Sequence, residues 1–190
     1  MIAAKQAAWL FVAIICMACS GMYFARPALV VKLDKHTLST TTDMVINNLT
    51  VQQFDTDGQL VHYLHTPLMR HIPSNNTHWL TTPHVIVTQK TQPAWEIHAK
   101  TATALYGGQQ ITFNENVIIH QEKDEHTQES TLKTEEITYF PKDKLAKTHS
   151  DVTFERPGHH VQATGMNAYL AEKRVQLLSQ ARGTYEPSRG

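Results

Sequence analysis

The stretch Trp95-Glu96-Ile97-His98-Ala99-Lys100-Thr101-Ala102 decides the fold. Its apolar residues Trp95, Ile97 and Ala99 alternate with polar ones, the period of two that sends successive side chains to opposite faces of a strand. The pattern recurs along the chain. Aligning Tyr63, Ile97, Leu132 and Val161 as equivalent positions puts apolar residues five further on at Leu68, Ala102, Ile137 and Met166. A second strand then reaches Val85, Val117, Val152 and Thr184, so the repeat is about 30 to 35 residues. Units of two or three strands cannot bury their own inner face, so neighbours stack into one all-β, antiparallel assembly with an apolar interior. Such an assembly has two open ends, whose strand edges invite another chain to pair.

Outward from that stretch, Leu60, Leu64 and Thr66 alternate with Val61, Tyr63 and His65, and Ile111, Phe113, Val117, Ile119, Val152, Phe154, Val175 and Leu177 continue the period. Turn signals separate the runs at Asp57-Gly58, Pro73 to Asn76, Gly107-Gly108, Asn114-Glu115-Asn116, Pro141 to Lys144, Pro157-Gly158 and Gly183. Their spacing of roughly 8 to 12 residues is that of antiparallel hairpins. Ordered sheet is expected from about Met44, and Gln121 to Ser130 is expected as a protruding tip with no core to join. The expected inward residues are Leu49, Val51, Leu60, Leu64, Leu80, Trp95, Ile97, Ile111, Phe113, Val117, Ile119, Val152 and Phe154. A bulge slips the parity by one and inverts every assignment beyond it. From the residues alone, a sealed core is favoured over a groove for acyl chains, because burying apolar side chains is what any sheet must do.

At the N-terminus, Ala7 to Phe24 is a run of 18 residues without a formal charge, spanning ~27 Å as a helix and close to a bilayer core. One transmembrane helix is the first reading, with Trp9 and Tyr23 near the headgroup zones. A cleaved signal peptide is the second, with small residues Ala18 and Ser20 ahead of Gly21. Either exports the rest of the chain. The expected organisation is a cytoplasmic tail (1–6), a transmembrane helix (7–24), a linker (25–43), a β-domain (44–187) and a short tail (188–190).

The chemistry of the remainder is notable for what it lacks. Beyond Lys5 the chain carries 16 basic residues against 17 acidic ones, so no nucleic-acid surface is expected. Both cysteines, Cys16 and Cys19, lie in the apolar run, which excludes a disulfide framework or thiolate site beyond it. No nucleophile elbow, phosphate loop, dinucleotide fingerprint or His-Glu-x-x-His string occurs, and neither catalysis nor a cofactor is expected. The 12 histidines are the one oddity. His62 and His65 point to opposite strand faces, as do His159 and His160, so the histidines are read as surface or ladder residues and no metal site is expected. The acidic pairs Asp124-Glu125 and Glu135-Glu136 are read as solvated charge, and the acceptor patterns at Asn48 and Asn75 as chance matches.

Several motifs in this order resemble the LptC family of lipopolysaccharide exporters. Phe54-Asp55-Thr56-Asp57-Gly58-Gln59-Leu60 is similar to the family's first long hairpin turn, and His78-Trp79-Leu80-Thr81-Thr82-Pro83 to its aromatic strand and turn. Pro93-Ala94-Trp95-Glu96-Ile97-His98-Ala99-Lys100 resembles the opening of the next repeat. Val152 to Gly158 and Arg182 to Glu186 resemble the C-terminal strands. The resemblance spans roughly Ala7 to Glu186 and implies a twisted β-jellyroll in the periplasm behind an inner-membrane anchor. It implies lipopolysaccharide as cargo, with acyl chains in the inner groove, and so reverses the preference for a sealed core. It implies the ATP-driven LptBFG transporter and the bridge protein LptA as partners, together with a weak homodimer. Gly58, Gly158 and Tyr185 are the positions that it marks for transport or partner binding. A scaffold that never touches lipid, and a soluble bridge protein with a cleaved leader, are the alternatives.

Overall fold

The computed structural model describes residues 41–88, 93–172 and 174–185. The expected tail, transmembrane segment and most of the linker lie outside these residues, as does the chain beyond Tyr185. Among the described residues no helix is long and apolar enough to cross a membrane. The described residues contain eleven strands in one antiparallel sheet: β1 (Met44–Phe54), β2 (Leu60–Ile72), β3 (Thr77–Thr81), β4 (His84–Val87), β5 (Trp95–His98), β6 (Thr101–Leu105), β7 (Gln110–Gln121), β8 (Ser130–Phe140), β9 (Leu145–Arg156), β10 (His159–Tyr169) and β11 (Arg174–Tyr185). The one helical element among the described residues is a 3-10 turn, Ser74–Asn76.

β3 and β4 are two halves of one chain pass, since both pair with β2, through its C-terminal and N-terminal halves respectively. β5 and β6 stand in the same relation to β7. The eleven strands thus make nine passes of a simple meander, each about 10 to 13 residues long, and every pass but the continuous β2 breaks, shifts register or takes a positive φ near its middle. The breaks fall on one transverse line: Asn48 in β1, Thr82-Pro83 between β3 and β4, Lys100 between β5 and β6, Glu115-Asn116 in β7, Gly165 in β10 and Gln180 in β11. Asn48, Thr82, Glu115, Asn116, Gly165 and Gln180 all take positive φ, and the pairing register shifts beside this line in β7–β8, β8–β9, β9–β10 and β10–β11.

Backbone groups that lose ladder partners at the bend are satisfied there. Thr82 N donates to Lys100 O at 2.7 Å and Lys100 N to Glu115 O at 2.9 Å. Buried threonine hydroxyls complete the line: Thr66 donates to Thr81 O at 2.6 Å, and Thr134 to Asp151 O at 2.9 Å. The sheet is folded along this line, and both halves contribute to one apolar cluster on the inner face. Leu80, Ala102, Phe113, Ile137 and Met166 come from one half, Ala99, Val117, Val152 and Ala163 from the other.

The bend also corrects the repeat alignment. Leu64, and not Tyr63, shares a rung with Ile97 through Val85, and Met69, and not Leu68, shares one with Ala102 through Leu80. Tyr63 is one residue off the inner parity. Thr184 pairs with His160, next to the Val161–Gly183 rung, and so also misses the inner face.

Candidate functional site

In the half carrying β4 and β5, one rung crosses all nine passes: Val51, Leu64, Val85, Ile97, Ile119, Leu132, Phe154, Val161 and Gly183. It is apolar everywhere but Gly183. Yet Leu64, Val85, Ile97, Ile119, Leu132, Phe154 and Val161 are all only half-buried, and Val51, on the edge strand, is 45% exposed. Beside the bend the inner face is sealed on both sides, by Met69, Leu80, Ala102, Phe113 and Ile137 on one and by Ala99, Val117, Val152 and Ala163 on the other. The outer rung across the bend, from His71 through His78, Ala104, Ile111 and Tyr139 to Ala146, is also half-buried but carries two histidines and a tyrosine. Apolar residues on the inner face of a folded sheet stay partly wet only where the facing half does not cover them. The interior is therefore sealed along the bend and partly open farther out on both sides, and the open rung that is apolar in every pass from β2 to β10 is the one on the β4–β5 side.

Beyond the half-buried rung the inner face mixes polar with apolar residues. His62, Val87, Trp95, Gln121 and Ser130 form the next rung. Gln121 and Ser130 are buried, with Gln121 Nε2 donating to Pro93 O at 2.9 Å and Arg156 Nε donating to Ser130 Oγ at 2.8 Å. The Arg156 guanidinium also lies 5.1 Å from the Phe154 ring centre, a cation at the lip of the apolar face. The expectation that Gln121 to Ser130 lacks a core is corrected at its two ends. The tip between them is ordered by Asp124, whose carboxylate accepts from His126 N at 2.8 Å and Thr127 N at 2.6 Å, which lowers its pKa.

Of the expected inward residues, Leu80, Phe113, Val117 and Val152 are buried in the cluster, and Leu49, Leu64, Ile97, Ile111 and Ile119 pack against it. Leu60, Trp95 and Phe154 are half-buried on the periphery. Gly58 turns β1 into β2 at φ +77°, its N–H donating to Asp55 O at 3.1 Å, and a Cβ there would meet nothing within 4 Å. Gly158 makes the exposed turn between β9 and β10 at φ +76°. Tyr185 closes β11, is 63% exposed and lies 4.7 Å from the His159 ring.

Two edges flank this face. Among the described residues β1 pairs only with β2, and β11 only with β10. β1 carries no charged residue and no proline, and β11 carries two arginines and no proline. Exposed edges this long ordinarily carry charge, proline or a cover against further pairing. On the outer face, sequence reasoning missed His84, Glu96 and His98, whose ligand atoms all lie within 4.8 Å of one another. A signal was present: position numbers in the β4–β5 hairpin sum to a constant for every pair, so Val87 opposite Trp95 requires His84 opposite His98.

The family described as "LptC: Lipopolysaccharide-assembly, LptC-related" matches residues 10–186. No match is found among curated proteins. Among solved structures, the fold is similar to LptH, the LptA homologous periplasmic component of the lipopolysaccharide transport device of Pseudomonas aeruginosa. The TM-score is 0.52 at 8% identity, covering 66% of this chain and 95% of that one. At that identity the likeness is one of fold.

Proposed function

From the premise that this chain belongs to the lipopolysaccharide-assembly, LptC-related family, we propose that its bent sheet carries lipopolysaccharide between the inner membrane and a periplasmic bridge. The observation that carries this reading is the rung from Leu64 to Val161, apolar in seven successive passes and half-buried in each. Acyl chains lie along it, in contact with Leu64, Ile97, Ile119, Leu132 and Phe154, while Leu80, Phe113 and Val117 form the sealed wall behind. The phosphorylated headgroup stays at the lip, where Arg156 supplies a cation. Partial cover suits a conduit, since each position offers only part of the burial energy of a closed pocket and cargo can pass on. Energy comes from the ATP-driven LptBFG transporter.

Residues 7–24 are the inner-membrane anchor, and the β-domain is periplasmic. The uncharged edge of β1 takes a strand from the transporter's periplasmic domains, and the edge of β11 takes one from LptA. Main-chain hydrogen bonds supply affinity at both. Gly58 and Gly158 set the turns that present these edges, and Tyr185 lies at the rim of the second. The weak homodimer would use the same free edges.

Photocrosslinking in intact cells tests the conduit, with the probe at inward Ile119 or Leu132 and at outward Ile118 or Lys133. Lipopolysaccharide adducts at the first two and not the second two are expected. Absence of adducts at all four, in folded protein within its complex, would leave a scaffold that tethers the machine without touching lipid.

A further inference from the structure

We propose that His84, Glu96 and His98 form a metal site of the zinc class on the outer face of the β4–β5 hairpin. His84 on β4 stands directly opposite His98 on β5, and Glu96, two residues before His98, projects from the same face. Cross-strand and diagonal neighbours of this kind are the closest side-chain approaches that a sheet offers. The Glu96 carboxylate oxygen lies 3.5 Å from His84 Nε2 and 3.7 Å from His98 Nε2. Ligand atoms held at about 2.0 to 2.1 Å from a tetrahedral ion are separated from one another by about 3.3 Å. The carboxylate is therefore already near its place, and the remaining gap lies between the two rings.

His84 Nε2 is buried and makes no hydrogen bond, the one such side-chain atom among the described residues. A buried polar atom with no hydrogen bond calls for an explanation, and an ion shared with the Glu96 carboxylate supplies one. The His84 and His98 rings are stacked, 4.2 Å apart and inclined by 13°. In that arrangement their in-plane lone pairs run side by side. The His98 side chain is 49% exposed, so it is the ring free to rotate and bring its nitrogen onto an ion shared with His84 Nε2 and Glu96.

The donor set selects the metal. Two imidazoles and one carboxylate suit zinc and its neighbours, whereas calcium and magnesium require more oxygen donors than the three side chains give. Three protein ligands leave a fourth position open to water or an anion. The backbone beneath is fixed, because Val85 and Ile97 alternate with the ligands and pack against the inner cluster. The site faces away from the apolar rung, so it stands or falls independently of lipid transport.

The full-length chain in detergent, stripped with a chelator and titrated with zinc chloride in a calorimeter, tests this. One zinc ion per chain is expected, with Glu96→Gln and His98→Ala each weakening binding by at least about tenfold. Replacing His159 and His160 with alanine leaves the affinity unchanged. Zinc-edge absorption should show nitrogen and oxygen donors only, which separates this site from the thiols of Cys16 and Cys19. If His98→Ala does not fold, as judged by its thermal transition in chelator, His98→Asn takes its place. Binding no tighter than about 1 mM, binding unchanged in Glu96→Gln and the His98 variant, or a sulfur donor in the absorption spectrum would each overturn the proposal.

Discussion

Thr66 spans the fold line to Thr81: its fully buried hydroxyl donates to the Thr81 carbonyl oxygen at 2.6 Å, and also lies 3.1 Å from Leu68 O. Thr134 repeats this geometry with Asp151 O and Glu136 O. Where β3 stops and β4 has not begun, the hydroxyl completes a carbonyl that the ladder cannot reach. Thr66→Val keeps the shape and removes the donor, leaving a buried acceptor unpaired. It should cost about 1 to 3 kcal/mol in urea unfolding. A loss within about 0.5 kcal/mol, as for an ordinary surface change, would mean that water reaches the bend.

His71 joins the start of β1 to the turn after β2. Its Nδ1 lies 2.7 Å from the Asp43 carboxylate and its Nε2 2.8 Å from Asn76 Oδ1. Both partners are acceptors, so the doubly protonated ring fits best, and the hydrogen bonds to Asn76 and then Asp43 raise its pKa. A base with a raised folded pKa contributes stability that is fully present below its unfolded pKa of about 6.5 and is lost as pH rises through the folded value. His78, opposite it on β3, is lowered by burial and by the charge on His71 and acts with the opposite sign. In a His78→Asn background, His71→Ala should therefore lower the urea midpoint more at pH 5.5 than at pH 8.5. An equal loss at both would remove the charge from the account.

Much of this architecture is legible in the sequence, because period-two alternation and turn residues are local. The free edges follow from the repeat, and Met44 does open the first strand. The fold line is what alternation conceals. Thr66 and Met69, Thr134 and Ile137, and Ala163 and Met166 are buried pairs separated by three residues, an odd step that no regular strand allows. Each marks the passage across the fold line, where the inner parity changes, and in β2 it is Leu64 and Met69, not Tyr63 and Leu68, that hold the inner positions. The openness of the Leu64–Val161 rung was not legible at all. It depends on how far apart two halves of one sheet stand, and Leu132 and Ile137 are equally apolar as residue types.

That contrast within β8 is measurable. Ile137 is 3% exposed beside the bend, next to Phe113, whereas Leu132 is half-buried on the rung farther from it. Ile137→Ala should cost about 2 to 5 kcal/mol, through lost transfer energy and an unfilled cavity. Leu132→Ala removes side-chain area that is already partly wet, leaves no closed cavity, and should cost about 1 kcal/mol. Equal losses would show the inner face sealed along its whole length and would argue against a lipid path there.

The C-terminal edge depends on Gly165, where β10 crosses the fold line at φ +79°. A Cβ at this position would lie 2.9 Å from Leu178 Cδ1 and 3.2 Å from Leu178 Cβ on β11, close to the register shift that separates the Gln162–Arg182 pair from the Thr164–Ser179 pair. Gly165→Ala therefore carries two costs. The left-handed backbone conformation costs about 1 to 2 kcal/mol for a residue with a side chain, and the clash with Leu178 pushes β11 outward. Leu178 is 42% exposed, so Leu178→Ala alone should change stability little, and combined with Gly165→Ala it should recover the clash and leave the backbone cost. If the double variant is no more stable than Gly165→Ala, contact with β11 is not what the glycine protects. If Gly165→Ala also weakens capture of a partner strand at β11, and Leu178→Ala restores it, then the bulge in β10 sets the edge on which assembly depends.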